Sequence, residues 1–146
     1  MLTVNDLMTT TPITVNPTTP LHKAAALMQM ENCQHLPVLD QGKLVGILTD
    51  RDVRLARNLS LYEEATCESC MTHNPITTSP DMPADQAAEL LTLYKIGSLP
   101  VLDGLELVGI VTVNDFLRRF NRPDKNDFVE EFALSAEYSG WNLVNG

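Results

Sequence analysis

Leu36-Pro37-Val38-Leu39-Asp40-Gln41-Gly42-Lys43-Leu44-Val45-Gly46-Ile47-Leu48-Thr49-Asp50-Arg51-Asp52 is the stretch that decides the fold. Two short apolar runs, Leu36–Leu39 and Leu44–Leu48, flank a polar turn that contains Gly42. That order spells a β-hairpin. Thr49 then opens a helix that carries Val53, Leu55 and Ala56. The pattern returns as Leu99-Pro100-Val101-Leu102-Asp103, then Leu107-Val108-Gly109-Ile110-Val111-Thr112-Val113-Asn114-Asp115. The offset is constant at 63 residues, Leu36 to Leu99 and Asp52 to Asp115 alike. At the same offset Met8-Thr9-Thr10-Thr11-Pro12-Ile13-Thr14 returns as Met71-Thr72-His73-Asn74-Pro75-Ile76-Thr77. Roughly twenty ungapped positions are identical, which marks an internal duplication.

Working outward, Pro12–Val15 and its copy Pro75–Thr78 are β-prone. Thr19 suits a helix N-cap and Pro20 the first turn. Leu21, Ala24, Ala25 and Met28 follow at helical spacing, with Leu27 beside them. In the second copy Asp81-Met82-Pro83 opens the helix, and Ala84, Ala87, Ala88 and Leu91 repeat the stripe. Each repeat is therefore expected to be β-α-β-β-α. The fold class is α+β (α/β-like), two such repeats packed about a pseudo-twofold axis. The expected boundaries are 1–60 and 61–122 for the repeats and 123–146 for an acidic tail. Leu61 and Tyr62 are expected to extend a helix into the linker. In the tail Phe128, Val129, Phe132, Ala133 and Ala136 share one helical face. A repeat of about 55 residues is marginal alone, so the halves are expected to share a core.

The chain has 146 residues, 44% of them hydrophobic, and a net charge of −9. That charge argues against nucleic acid and anionic membrane as partners. No basic stretch precedes an apolar run at the start, and no apolar run reaches spanning length. With three cysteines, an odd number, this predicts a reduced, cytoplasmic setting. Six of the ten basic residues fall in two runs, Arg51, Arg54, Arg57 and Arg118, Arg119, Arg122, each in or following a Thr-x-x-Asp motif. Solvated helix faces explain such runs, and so does a small bound anion.

Thr49-x-x-Asp52 and Thr112-x-x-Asp115 each resemble a helix capping box, which prefers Glu or Gln at the acidic position. A carboxylate held there also has acceptor sites to spare for two vicinal hydroxyls. The helix N-terminus beside it favours phosphate. Gly46 and Gly109 stand three residues before each Thr. A Gly in a buried strand marks close approach by another group, and the matched positions point to two equivalent clefts. Cys67-x-x-Cys70 reads as a metal or redox motif in isolation. Its repeat partners are Val4 and Leu7, which makes core packing the better reading. Cys33 aligns with Ile96 in the same way. No catalytic constellation and no phosphate-cradling Gly-rich loop is present, and His22, His35 and His73 are scattered. The chain is expected not to be an enzyme and to hold no metal.

These motifs, with His35-Leu36-Pro37 and the Met-Thr-x-x-Pro-Ile-Thr start, resemble the cystathionine-β-synthase (CBS) domain. It is present here as a tandem pair, or Bateman module, over residues 4–120. The resemblance implies a regulatory module that binds adenosine derivatives (AMP, ADP, ATP or S-adenosylmethionine) in inter-repeat clefts, with Mg2+ accompanying ATP and no cofactor required. It implies one cleft built from Thr112 and Asp115 with Ile13, Thr14, His35 and Pro37. The other would use Thr49 and Asp52 with Ile76, Thr77, Ser98 and Pro100. His35, Arg51 and Arg118 are the implied phosphate contacts. His35 is set against Ser98 and Arg51 against Asn114, so the clefts are expected to be unequal, with that of His35 and Asp115 favoured. The resemblance further implies a homodimer and an effector protein as listener. The alternative is a structural or oligomerisation module whose Thr-x-x-Asp motifs serve only as caps.

Overall fold

Both hairpins form where the sequence places them. In the computed structural model, which describes residues 1–120, β2 (His35–Asp40) pairs antiparallel with β3 (Lys43–Thr49). β5 (Ser98–Asp103) neighbours β6 (Glu106–Thr112). Gln41 and Gly42 both have positive φ, 51° and 82°, as a type I′ loop requires. The second hairpin turns at Gly104, φ 65°.

Each sheet gains a third strand from a short lead-in segment. β1 (Thr9–Thr10) pairs with β6, and β4 (Thr72–His73) pairs with β3. A lead-in therefore joins the hairpin of the other repeat. Among the described residues, one compact unit comprises Met1–Thr10, Ile76–Asp103 and 108–120; the second comprises Thr11–Pro75 with Gly104–Leu107. The first unit holds α1 (Val4–Leu7), α5 (Ala84–Tyr94) and α6 (Val113–Phe120) with the sheet β1-β6-β5. The second holds α2 (Leu21–Glu31), α3 (Asp50–Asn58) and α4 (Cys67–Cys70) with the sheet β2-β3-β4.

Two cores form, and each is stitched from both repeats. Val4 and Leu7 lie among Ala84, Ala87, Leu91, Leu99, Val111 and Phe116. Cys67 and Met71 lie among Leu21, Ala24, Met28, Leu36, Leu48 and Val53. The exchange solves the marginal size of one repeat, because each buried Val or Leu contributes about 1.5–3 kcal/mol.

Gly46 and Gly109 belong to this exchange. A β-carbon on Gly109 would stand 2.6 Å from Met8 Sδ and 2.9 Å from the Thr9 carbonyl oxygen. A β-carbon on Gly46 would stand 2.3 Å from Met71 Sδ. The group that approaches each glycine is the lead-in methionine, and Met8, against Gly109, also lines the cavity that holds Asp115.

Local corrections follow from hydrogen bonding. Pro12–Val15 is not a strand; only Val15 bridges Val38, its N–H donating to the Pro37 carbonyl at 3.1 Å. Thr19 is not the cap of α2. Its Oγ1 accepts from Asn16 N–H, and the first helical N–H, on Leu21, donates to the Ala65 carbonyl. Ala84 likewise donates to the Leu2 carbonyl. α3 ends at Asn58, short of Leu61 and Tyr62. The expected tail helix lies outside the described residues.

Candidate functional site

Thr49 ends β3 in extended backbone (φ −119°, ψ 164°), which frees its side chain and N–H to close a loop with the third helical residue. Its N–H donates to Asp52 Oδ2 at 2.9 Å, and Asp52 N–H donates back to Thr49 Oγ1 at 3.3 Å. Thr112 and Asp115 repeat this at 2.7 and 3.4 Å, and the Thr112 hydroxyl also donates to Asp115 Oδ2 at 3.2 Å. Both motifs are thus reciprocal capping boxes built with Asp.

The two boxes differ in what surrounds them. Asp115 is buried, 5% exposed, and its Oδ1 accepts from the Arg118 guanidinium. Asp52 is half-buried, and among the described residues no donor reaches its Oδ1. Asp115 lines a cavity of about 320 Å3 with Arg118 and Arg119 of α6 and Asp6, Leu7, Met8 and Thr9 of the lead-in. Asp6 and Thr9 were not singled out in the sequence. The signal was there, because Thr3-x-x-Asp6 is a third copy of the motif and caps α1 with a 2.8 Å bond. Thr66 and Ser69 cap α4 in the same manner.

The remaining site residues divide by unit. Ile13 is exposed, and Thr14 and His35 are half-buried, in the unit that carries Thr49 and Asp52. His35 sits directly opposite Thr49 in the β2–β3 ladder. Ile76 and Thr77 are half-buried and Ser98 is buried in the unit that carries Thr112 and Asp115. Pro37 and Pro100 are fully buried, and their carbonyls accept from the N–H groups of Val15 and Thr78. The basic runs do not superpose. Arg51 aligns with Asn114, Arg54 with Leu117, and Leu55 with Arg118. All three arginines of the first run are exposed; Arg54 pairs with Asp50 at 3.7 Å, and Arg57 lies 4.5 Å over the Tyr62 ring.

Cys67 fills the place in its core that Val4 fills in the other, and both are fully buried. Burial, with Cys70 nearby, pushes the Cys67 thiol up to about 11. Burial also raises Cys33. Thiols held protonated this way are poor nucleophiles and poor metal ligands. Among the described residues no three His, Cys, Asp or Glu side chains cluster closely enough to hold a metal ion. None of the described helices is long and apolar enough to cross a membrane.

The CBS-domain family model matches residues 4–58 and 67–122. The chain belongs to the CBS-domain family. It is 37% identical over 116 residues to the CBS domain-containing protein YhcV of Bacillus subtilis, covering 79% of this chain and 83% of that one. It is 39% identical over 121 residues to the L-aspartate semialdehyde sulfurtransferase of Methanocaldococcus jannaschii. That match covers 80% of this chain but only 23% of the enzyme. The CBS domain pair of protein MJ0100, solved with 5′-methylthioadenosine and S-adenosyl-L-methionine, superposes with a TM-score of 0.77 at 37% identity. That superposition covers 82% of this chain and 96% of that one. CBSX2, solved with AMP, gives 0.73 at 27% identity, covering 84% and 100%. The CBS pair accounts for both repeats and for the mixed α/β architecture with its two three-stranded sheets.

Proposed function

We propose that this chain is a regulatory module that binds an adenosine-type ligand and reports it to an effector protein or through self-association as a homodimer. The observation that carries this reading is the Asp115 box, a buried carboxylate fixed at the start of α6 on the wall of a cavity that also presents arginine. Such a carboxylate suits two vicinal ribose hydroxyls, and the adjacent helix N-terminus and cation suit phosphate. Asp52 with Thr49 is the second ribose-holding box. Ile13, Thr14 and His35, and Ile76, Thr77 and Ser98, are the flanking residues for the base, with His35, Arg51 and Arg118 available to phosphate. The likeness to CBS pairs solved with 5′-methylthioadenosine, S-adenosylmethionine and AMP supports this ligand class. With ATP, Mg2+ would enter with the phosphates. The chain itself binds and does not catalyse.

A calorimetric and thermal-shift screen with AMP, ADP, ATP, S-adenosylmethionine and 5′-methylthioadenosine tests this. A ligand at one hundred times its Kd stabilises by about 2.7 kcal/mol. Asp115→Ala and Asp52→Ala should each abolish one binding event. The capping of α1 by Thr3 and Asp6 favours a second reading, a purely structural module, because the same motif works there as a cap. If no adenosine compound shifts the transition, that second reading stands.

A further inference from the structure

The duplication allows each Thr-x-x-Asp box to serve as the control for the other, and they differ at one decisive position. In both, the Thr N–H engages Oδ2 of the carboxylate, which leaves Oδ1 for something else. At Asp115 the Arg118 guanidinium holds Oδ1. Arg118 lies one turn further along α6, and its side chain is 68% exposed while that of Asp115 is 3% exposed. The aligned residue in the other repeat is Leu55, which is exposed on α3 and offers no donor. Of the cations of α3, Arg54 lies on Asp50 and Arg57 on Tyr62, and exposed Arg51 forms no ion pair with Asp52.

The consequence is a difference in ligand chemistry. A ribose diol arriving at Asp52 meets an open acceptor. At Asp115 the Thr112 N–H and hydroxyl fill Oδ2 and Arg118 takes one of the two acceptor sites on Oδ1, so both ribose hydroxyls can be held only as Arg118 withdraws. A guanidinium withdrawn from a carboxylate is best received by another anion, in the bidentate geometry that phosphate offers. A ligand with both a diol and a phosphate replaces both ends of the pair at once. A neutral nucleoside replaces only one and leaves Arg118 without its anion.

Resting on the reading of the boxes as ribose sites, we propose that Arg118 is a selectivity latch. It makes the Asp115 box select phosphorylated adenosine ligands, a selection that the Asp52 box, with Leu55 in its place, does not impose. Arg118 acts on the choice of ligand through Asp115 and is not needed for the fold, since its side chain projects into solvent at the edge of the cavity.

The test compares AMP with 5′-methylthioadenosine, an adenosine that carries a neutral thioether where AMP carries phosphate, by calorimetry. In an Asp52→Ala background, Arg118→Leu should lower the preference for AMP over 5′-methylthioadenosine about tenfold, the scale of a lost charged hydrogen bond. Arg118→Lys should retain part of that preference, because the charge remains but the fork is lost. In an Asp115→Ala background, Leu55→Arg should raise the preference by a similar factor. A preference that moves less than twofold in Arg118→Leu overturns the latch while leaving the ribose reading intact. Failure of the unmutated protein to bind either compound overturns the ribose reading and the latch with it. A preference ratio is unaffected by a uniform loss of stability, so it separates selectivity from a structural defect.

Discussion

Gly46 and Met71 occupy one space: a β-carbon on the glycine would fall 2.3 Å from Sδ, 2.8 Å from Cγ and 2.9 Å from Cε of the methionine. They lie in different repeats, yet β3 and β4 pair across them, with Gly46 opposite His73. The missing side chain in one repeat is what lets the lead-in of the other dock.

Gly46→Ala should therefore destabilise by about 1–3 kcal/mol, the usual cost of overpacking. Gly109→Ala should cost more. Its added carbon meets the Thr9 carbonyl oxygen as well as Met8, and backbone cannot swing aside as a thioether can. Urea unfolding should also show coupling in Gly46→Ala with Met71→Ala, the double variant losing less than the two single losses added together. Simple additivity would mean that Met71 is not what the glycine accommodates.

Much of this was legible in the sequence, and the failures have physical causes. The hairpins and the α3 box could be read because turn, apolar run and cap are local. The exchange of lead-ins could not, because it depends on which of two near-identical hairpins a segment meets. Repeats that match at Gly46 and Gly109 cannot reveal their partner by composition. Thr19 was misplaced because a good N-cap residue also stabilises the turn before the helix, where its Oγ1 accepts from Asn16. Asp6 was passed over because α1 has only four residues, too few for an apolar period to appear. The inequality of the boxes is visible in the sequence at His35 against Ser98 and Arg51 against Asn114, but the contrast of Arg118 with Leu55 emerges only once the Arg118 guanidinium is seen on Asp115.

The boxes should differ in their contribution to folding. Asp52→Ala removes one cap and should cost about 1 kcal/mol. Asp115→Ala removes the acceptor for the Thr112 N–H and hydroxyl and for Arg118, at a buried position, and should cost about 2–3 kcal/mol. Equal losses in denaturant titrations of the two variants would show that burial of Asp115 adds nothing to its capping role.

Lys95 ends α5 in the left-handed conformation, φ 55°, where the equivalent residue after α2 is Asn32, φ 51°. Asparagine occupies that region at less cost than lysine. Lys95 is exposed, so its side chain has little packing to lose. Lys95→Gly should stabilise by about 0.5–1 kcal/mol, and Lys95→Asn should follow in the same direction. A lower unfolding midpoint in both would mean that the lysine makes a contact outweighing its backbone strain.

Cys67 gives a pH dependence with a defined sign. Its thiol is raised from the ordinary 9.0 to about 11, so between those values the folded chain keeps a proton that the unfolded chain has released. Binding more protons in the folded state makes stability fall as pH rises. The contribution is complete below pH 9 and is lost as pH climbs through 11. The repeat supplies the control, because Val4 fills the matching core position. Cys67→Val adds about one methyl group at a buried position and should fold with a loss of no more than about 1–3 kcal/mol near neutrality. It should also lose less stability than the parent between pH 9 and 11. Parallel pH profiles for the two proteins would place the titrating group elsewhere. In the native state Cys67 should also react with a thiol reagent far more slowly than half-buried Cys70, and loss of that difference in denaturant would tie the protection to folding.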